Sequence, residues 1–490
     1  ITDCGAGGLS SAVGEMAEGV GADVDVSLAP LKYPGLQPWE IWLSEAQERM
    51  VLAVPPAELA ALQGVCDRHG VELTDLGEFT ATGRLVVRHD TELLVDLDVG
   101  FLHDGRPQRA MRAELPRPER TAGSSPTVAD PAAALLRLLA HPNIASKADT
   151  IHRYDYEILG ATAVRPLVGV AGDGPADGIV LAPPDVAGGD PIAALALGIG
   201  VNPWYGELDP ERMAHAVVDE AIRNVVAVGA DPERVALLDN FSWGDPRRAS
   251  TLGDLVAAVK GCCDAAVAHG APFVSGKDSL NNEYSAGGER HAVPPTLVIT
   301  AVAHVPDPDG AVTPDLKAAG NVLVLTGRTA PEFGGSHLHL VLGLDRREGS
   351  TARSCVPAPD PNAPARYRRL HQAIRDGLVR SAHDCSEGGL AVALAEMAIG
   401  GRLGARIERL PADDLAVGLF AESTGRLVLE VAPADLDALL ARIDEPVTVL
   451  GTVTAGPVLA LPGCTPLSVD ELADAFGADA AGAPRSGGGA

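Results

Sequence analysis

The sequence predicts an α/β (α+β) protein in which two copies of one domain flank a third, different domain. Three observations carry this. The segment DCGAGGLSSAVGEMA at 3–17 recurs as DCSEGGLAVALAEMA at 384–398, with nine of fifteen positions identical. Further along, EAQERMVLAVPPAEL at 45–59 recurs as ESTGRLVLEVAPADL at 422–436, with eight of fifteen identical, and TDLGEFT at 74–80 is echoed by TVLGTVT at 448–454. The three offsets, 381, 377 and 374 residues, keep nearly one register across a whole domain, which shared low complexity would not do. Strand signals alternate with helix signals inside each copy, the pattern of a layered domain.

Each copy opens on an Asp at a strand end (Asp3, Asp384), then a Gly-rich turn, then a helix carrying A-x-x-E-M-A. Met16 and Met397 hold equivalent helix positions and read as core residues. Alternating apolar residues at Arg49–Val54 and Arg426–Val431 read as strands. The first copy spans 1–112 and the second 318–465. Residues 113–145, with PRPERTAGSSPT, read as a linker. Residues 146–310 form the middle domain. Its clearest helix runs through LDPERMAHAVVDEAIRNVVAVGAD, with Asp209 as N-cap, Pro210 at the first helical position and Gly229 as the stop. Strands are expected at Arg234–Leu238 and Pro272–Val274, and Gly172-Asp173-Gly174 and Gly198-Ile199-Gly200 read as turns. His337 and His339 are expected on one strand face. The stretch 466–490 reads as a mostly flexible tail. A duplicated domain around one middle domain is lopsided, so a partner for the middle domain is expected upstream of Ile1.

Composition excludes several classes of function. Hydrophobic residues are 46% of the 490, enough for several cores, but aromatics are 3%, which disfavours a base-stacking surface. Lys and Arg number 38 against 66 Asp and Glu, a net charge of −28 that repels nucleic acid and anionic membranes. A nucleotide substrate would need Mg²⁺ or local cations to screen it. Seven cysteines without a C-x-x-C pair imply neither a disulfide framework nor a zinc knuckle, and suggest a reduced, cytoplasmic protein. There is no apolar run of about 18 residues, and no G-x-S-x-G or H-E-x-x-H motif.

Four places could carry chemistry. Asp3 and Asp384 set a carboxylate among glycines before a helix, where backbone N–H groups can meet phosphate while the carboxylate holds Mg²⁺. A tight Gly turn capped by Asp gives the same pattern. Glu220 and Asn224 lie one helical turn apart and face one way, which suits a hard cation, though spacing alone favours a solvated stripe with Asp219 and Arg223. Asp239 is read as a strand end, and Gly276-Lys277-Asp278-Ser279 as a Gly turn after the strand PFVS; such ends collect ligands in α/β sheets. Lys277 is one of five lysines and reads as a phosphate contact, although the stretch is no Walker A loop.

The motifs DCGAGGLSSAVGEMA, LSEAQERM, GVNPWYGELDP, DEAIRNVVAVGADPERVALLDNF, VSGKDSLNNEY and HDCSEGGLAVALAEMA, in this order, resemble phosphoribosylformylglycinamidine (FGAM) synthase over about residues 1–465. That family consists of two fused aminoimidazole-ribonucleotide (AIR)-synthetase-like units, each with an N-terminal ATP-binding and a C-terminal domain. The resemblance implies two AIR-synthetase-like C-terminal domains flanking one AIR-synthetase-like N-terminal domain, with the other N-terminal domain, and the catalytic His it carries, missing. It implies ATP-dependent amidation of formylglycinamide ribonucleotide (FGAR) through an iminophosphate, with ATP and Mg²⁺ required. Ammonia would come from a separate glutaminase subunit, joined by a small bridging subunit. Asp3 would be a magnesium ligand. Glu45, Ala46 and Gln47 would meet FGAR, with Ala46 replacing the family's Ser, and Ser279 would be a further substrate contact. Asp239, Gly276 and Lys277 would meet ATP; Lys277 stands where small members carry a magnesium-binding Asn, and a protonated Lys cannot take that role. An auxiliary nucleotide site would use Asp177, Glu220, Asn224 and Asp384 on metal and Ser386 on nucleotide. The duplication argues against a single-unit phosphotransferase of the same superfamily; a structural nucleotide-binding half is the non-enzyme alternative.

Overall fold

The protein, seen in a computed structural model, is described over residues 1–46, 48–118, 120, 125–154, 156–158, 160–183, 194–344 and 356–477. It divides into two compact units, Ile1–Ala110 and Met111–Ala490. No helix among the described residues is long and apolar enough to cross a membrane. The six described cysteines are unpaired, and Cys355 and the tail 478–490 lie outside the described residues.

In the first unit, β1 (Thr2–Asp3) runs into the glycine turn and then α1 (Leu9–Met16). A four-stranded sheet follows in the order β4-β2-β5-β6, from β2 (Ala22–Asp25), β4 (Gly77–Phe79), β5 (Arg84–His89) and β6 (Glu92–Asp98). The strand expected from Arg49 is short: β3 (Met50–Val51) pairs with β1, Asp3 opposite Met50. The core is small, built on Val13, Ala17, Val24, Ile41, Leu85, Val87 and Val99. Helix α2 (Leu59–His69) buries none of its residues.

In the second unit, the segment read as a linker contains α3 (Pro131–Leu139), whose Leu135, Leu138 and Leu139 are fully buried. The middle domain is built on a six-stranded sheet in the order β11-β10-β12-β9-β8-β7. Its strands are β7 (Thr162–Val164), β8 (Gly178–Leu181), β9 (Ala194–Val201), β10 (Val235–Ser242), β11 (Phe273–Ser279) and β12 (Thr296–Val305). Helix α4 (Pro210–Ala227) packs on it beside α5 (Ala249–His269). Asp209 caps α4 by accepting from the Arg212 amide, and Gly229 leaves the helix with φ +103°, as the sequence predicts. Gly198 and Gly200 correct the sequence reading: they lie inside β9, not in a turn. A Cβ on Gly200 would sit 2.0 Å from the Val217 carbonyl oxygen, so the bare strand lets α4 come close. Asp239 and Gly276–Ser279 also lie within strands, β10 and β11, rather than at a strand end and in a turn.

The C-terminal part is a seven-stranded sheet in the order β14-β16-β13-β17-β15-β18-β19. Its strands are β13 (Val322–Thr326), β14 (Ser381–Asp384), β15 (Gly404–Ile407), β16 (Leu427–Val431), β17 (Thr448–Thr454), β18 (Val458–Ala460) and β19 (Leu467–Ser468). His337 and His339 are not on a strand. They belong to α6 (His337–Leu342), whose cap position is Ser336 in extended conformation, and both are buried. Helix α7 (Ala363–Arg375) packs on α9 (Leu436–Ile443), and α8 (Gly389–Gly401), leaving the second glycine turn, is buried on nearly every side. Helix α10 (Val469–Phe476), opened by a Ser468–Glu471 capping box, lies in the stretch read as tail and packs on α3.

Candidate functional site

The close approach of α4 to β9 fixes two of its polar side chains against the strand. The Val201 amide donates to Glu220 Oε2 at 3.0 Å, and Asn224 Nδ2 donates to the Ile199 carbonyl at 2.8 Å. The stripe is not solvated: Asp219, Arg223 and Asn224 are 5%, 2% and 8% exposed. Arg223 extends from α4 to the turn after β14, where its Nη2 donates to Ser386 Oγ at 2.8 Å and to Asp384 Oδ2 at 3.3 Å. Glu220, Arg223 and Ser386 line one cleft with Tyr205, Glu387 and Glu422, about 20 Å³ in volume.

Asp177 adds a further carboxylate. Its Oδ1 pairs with His383 Nδ1 at 2.7 Å and accepts weakly from the Asp384 amide at 3.4 Å. Asp177, His383 and Asp384 each place a ligand atom within 4.8 Å of the others, spacing that could hold a metal ion. His383 Nε2 meets Glu396 at 3.0 Å. Burial opposes a charge on His383, yet the carboxylates on its two nitrogens hold it well above the usual imidazole range. Burial likewise opposes ionisation of Asp384, but Arg223 and His383 hold it below the usual carboxylate range. Glu220 is pushed well up by burial and by the Glu387 and Asp384 carboxylates. Two buried oxygens here, Asp177 Oδ2 and Asn224 Oδ1, have no hydrogen-bond partner among the described residues. An orphaned buried acceptor is costly, and both are oxygens of the kind Mg²⁺ takes, so the set fits a hard cation.

The remaining sequence candidates fall into two places. Asp239 and Gly276 are direct partners across the parallel β10–β11 pair. A Cβ on Gly276 would lie 2.5 Å from Asp239 Oδ1, so glycine is what lets the carboxylate sit there. Asp239 is raised by burial and by Asp278. Lys277 Nζ, exposed, contacts Ser279 Oγ. In the first unit Asp3, Glu45 and Ala46 are exposed, and Glu45 Oε1 accepts from the Gly7 amide at 3.2 Å. Gln47 lies outside the described residues.

The model of the AIR synthase related protein C-terminal domain matches residues 1–90 and again 318–462, and that of the N-terminal domain matches 179–305. The chain belongs to the AIR synthase related family. Curated homologues include phosphoribosylformylglycinamidine synthase subunits PurL. The one from Deinococcus radiodurans is 36% identical over 93% of this chain and 60% of its own length; that from Methanothermobacter thermautotrophicus is 34% identical over 97% and 63%. The chain therefore spans little more than 60% of the length of these relatives. Among solved structures, Thermotoga maritima PurLQS superposes with a TM-score of 0.62 at 19% identity, over 92% of this chain and 63% of that one. T. maritima PurL complexed with AMPPCP gives the same score, over 92% and 64%. These two show the fold: duplicated AIR-synthetase-like architecture of mixed α and β structure.

Sequence reasoning missed Arg223, His383, Glu396 and Glu422 as members of this second-unit cluster. Glu422 was within reach, because the repeat aligns it with Glu45. It accepts from the amides of His337 at 2.8 Å and Gly388 at 2.9 Å and from Tyr205 Oη at 2.8 Å. The partners that bring Arg223 and His383 into this cluster, Asp384 and Asp177, are 161 and 206 residues away, beyond the reach of local spacing.

Proposed function

We propose that the chain supplies binding surfaces of an FGAM synthase, a carbon–nitrogen ligase that amidates FGAR in purine biosynthesis using ATP and glutamine-derived ammonia. The observation that carries the reading is the cluster of Asp177, His383 and Asp384, whose ligand atoms lie within 4.8 Å of one another, with Glu220 close enough for the Asp384 charge to act on it and with Asp177 Oδ2 and Asn224 Oδ1 buried without partners among the described residues. Family membership supports it, as do the T. maritima PurL structures complexed with ATP, ADP and FGAR. In this reading that cluster would hold Mg²⁺, which supplies charge neutralisation of nucleotide phosphates, and Ser386 would meet the nucleotide. The site is structural: it locks the middle and C-terminal domains together.

The other two groups are proposed to bind the substrates. Asp3, Glu45, Ala46 and Gln47 would bind FGAR, and Ser279 would be a further substrate contact. Asp239, Gly276 and Lys277 would bind ATP, with the Lys277 ammonium offsetting phosphate charge. The FGAR amide oxygen attacks the γ-phosphorus and ADP leaves; ammonia then adds to the imidate carbon, and phosphate departs with the former amide oxygen. Such chemistry asks the protein mainly for positioning and charge stabilisation. The domain limits 1–112, 146–310 and 318–465 are proposed as the functional modules. The name of PurLQS supports an assembly with further subunits, proposed here as a glutaminase and a small bridging protein. We further propose that the 490 residues alone do not turn over; FGAM formation by the purified chain would reject this.

The test is thermal. Nucleotide bound only to the folded form stabilises by on the order of 3 kcal/mol at a hundredfold excess over its Kd. Glu220→Ala should therefore lower Tm more in Mg-ADP than in chelator. Equal lowering in both would overturn the nucleotide reading of this cluster.

A further inference from the structure

Arg223 has a place in this site that the ligand set does not explain. It is a buried guanidinium with 3% of its side chain exposed, inserted among carboxylates read as cation ligands. Its Nη1 pairs with Asp219 on its own helix. Asp219 is itself fixed, accepting from Tyr367 Oη at 2.5 Å and from the Gly425 amide at 3.0 Å. The Nη2 side reaches across to the other domain, to Ser386 Oγ and Asp384 Oδ2, and Ser386 Oγ donates to that same Asp384 oxygen. Nε is buried and has no acceptor among the described residues, although Arg223 lines the cleft.

We propose that Arg223 is the resident counter-cation of the Asp384–Ser386 turn, which an incoming divalent cation must displace, so that Arg223 sets the cation demand of the site and turns to phosphate once displaced. This rests on the reading of the cluster as a divalent-cation and nucleotide site. Mg²⁺ needs a carboxylate lone pair at about 2.0–2.1 Å. Asp384 Oδ2 already accepts two hydrogen bonds, and a guanidinium and a divalent cation on one oxygen repel. The Asp219 contact is the tether: it keeps the guanidinium in the cleft when Asp384 is lost. The Nη2 donors released, together with Nε–H, form an edge that matches two phosphate oxygens in the bidentate manner of arginine. Arg223 is thus a positioning residue for cation and nucleotide, with opposite effects on the two.

The experiment measures Mn²⁺ alone, and ADP at saturating Mn²⁺, by calorimetry on the 490-residue chain and its R223Q and R223K variants. R223Q removes the competing charge. It should bind Mn²⁺ about tenfold more tightly, the size expected of one unit charge a few ångström away, and ADP about tenfold more weakly. R223K keeps the charge but not the fork. It should bind Mn²⁺ within about threefold of the parent chain and ADP more weakly, as only planar bidentate recognition is lost. A merely structural role would weaken both ligands together. R223Q with unchanged or weaker Mn²⁺ binding overturns the proposal, as does R223K binding Mn²⁺ tenfold more tightly; the second stands if R223Q does not fold. Failure of the parent chain to bind either probe overturns the nucleotide reading first, which separates the two failures.

Discussion

In the first copy of the duplicated domain Glu45 accepts a hydrogen bond from the Gly7 amide at 3.2 Å; in the second, Glu422 accepts the corresponding bond from Gly388 at 2.9 Å. Arg49 Nε donates to the Ala46 carbonyl at 3.1 Å, and Arg426 Nε to that of Ser423 at 2.9 Å, with the Nη2 groups bonding the carbonyls of Ser44 and Ala421. Gly8 and Gly389 both adopt positive φ, and a Cβ on either would strike those same carbonyl oxygens, at 2.1 and 2.5 Å. The turn has survived duplication nearly atom for atom. What surrounds it has not. Asp3 and Glu45 are exposed, while Asp384 retains 12% side-chain exposure and Glu422 is buried at 3%. Gly5 and Ala6 are replaced by Ser386 and Glu387. In the second copy β13 lies between β16 and β17, and α9 buries Leu439 and Ile443 under α7. Among the described residues of the first copy no strand joins β3 to β4, and Leu62 and Cys66 on α2 are only half-buried. Local sequence thus dictates the turn, and its neighbours decide whether the turn is an open surface or a buried charged cluster.

The largest expected consequence is in local stability. Every residue of β16 is buried, whereas β3 is a two-residue strand at the edge of a small core. Amides of β16 should exchange with solvent only on global unfolding, and those of β3 several orders of magnitude faster through local opening, read by hydrogen exchange. Equal protection would show that the two copies have equivalent cores. A smaller difference is expected for the matched arginines. Arg426 is fully buried and also donates to Thr329 Oγ1 at 3.1 Å. Arg426→Met should cost about 3 kcal/mol or more, since it strands buried carbonyls, and Arg49→Met about 1 kcal/mol, since water replaces the lost partner. Urea unfolding followed separately for each unit distinguishes them, and equal costs would remove burial as the source of the contrast.

The same division governs what could be read from sequence. Helix α4, its cap and stop, and both aspartate turns were legible because their signals lie within a few residues: Asp209 bonds three residues ahead, and each glycine turn is one contiguous motif. The glycines of β9 were misread as a turn, because their function is to admit a helix that comes later in the chain. Gly276 likewise looked like a turn residue, but it faces Asp239 across two strands. The pattern HLHLVL alternates as a strand would, yet it forms a buried helix; with both histidines buried, the polar face that marks an amphipathic helix is absent. Asp384 and Glu220 were candidates from their own turn and helix, but Asp177, and the joining of these residues into one site, came only from resemblance, since no spacing rule links carboxylates on two domains.

The smallest effect isolates one of the duplicated turn's own substitutions. Glu387 stands where the first copy has Ala6. Burial, aided by the Glu422 carboxylate and opposed by His337, pushes Glu387 up to about 7. A free glutamate titrates near 4.3. The native state therefore holds a proton that the unfolded chain has already released, and stability falls as pH rises from about 4.5 to about 7, then levels off. The full term is on the order of 3 kcal/mol if no neighbour relaxes. Glu387→Gln removes it. The variant should melt above the parent chain at pH 8, with the gap shrinking towards zero at pH 5. Glu220 moves with it in the same direction, because losing the Glu387 charge eases ionisation of Glu220. Ala6→Gln in the first copy should give no pH-dependent change. Melting curves in chelator across pH 5–8 compare the pair, and a Glu387→Gln gap constant with pH would place the ionisation of Glu387 outside this window.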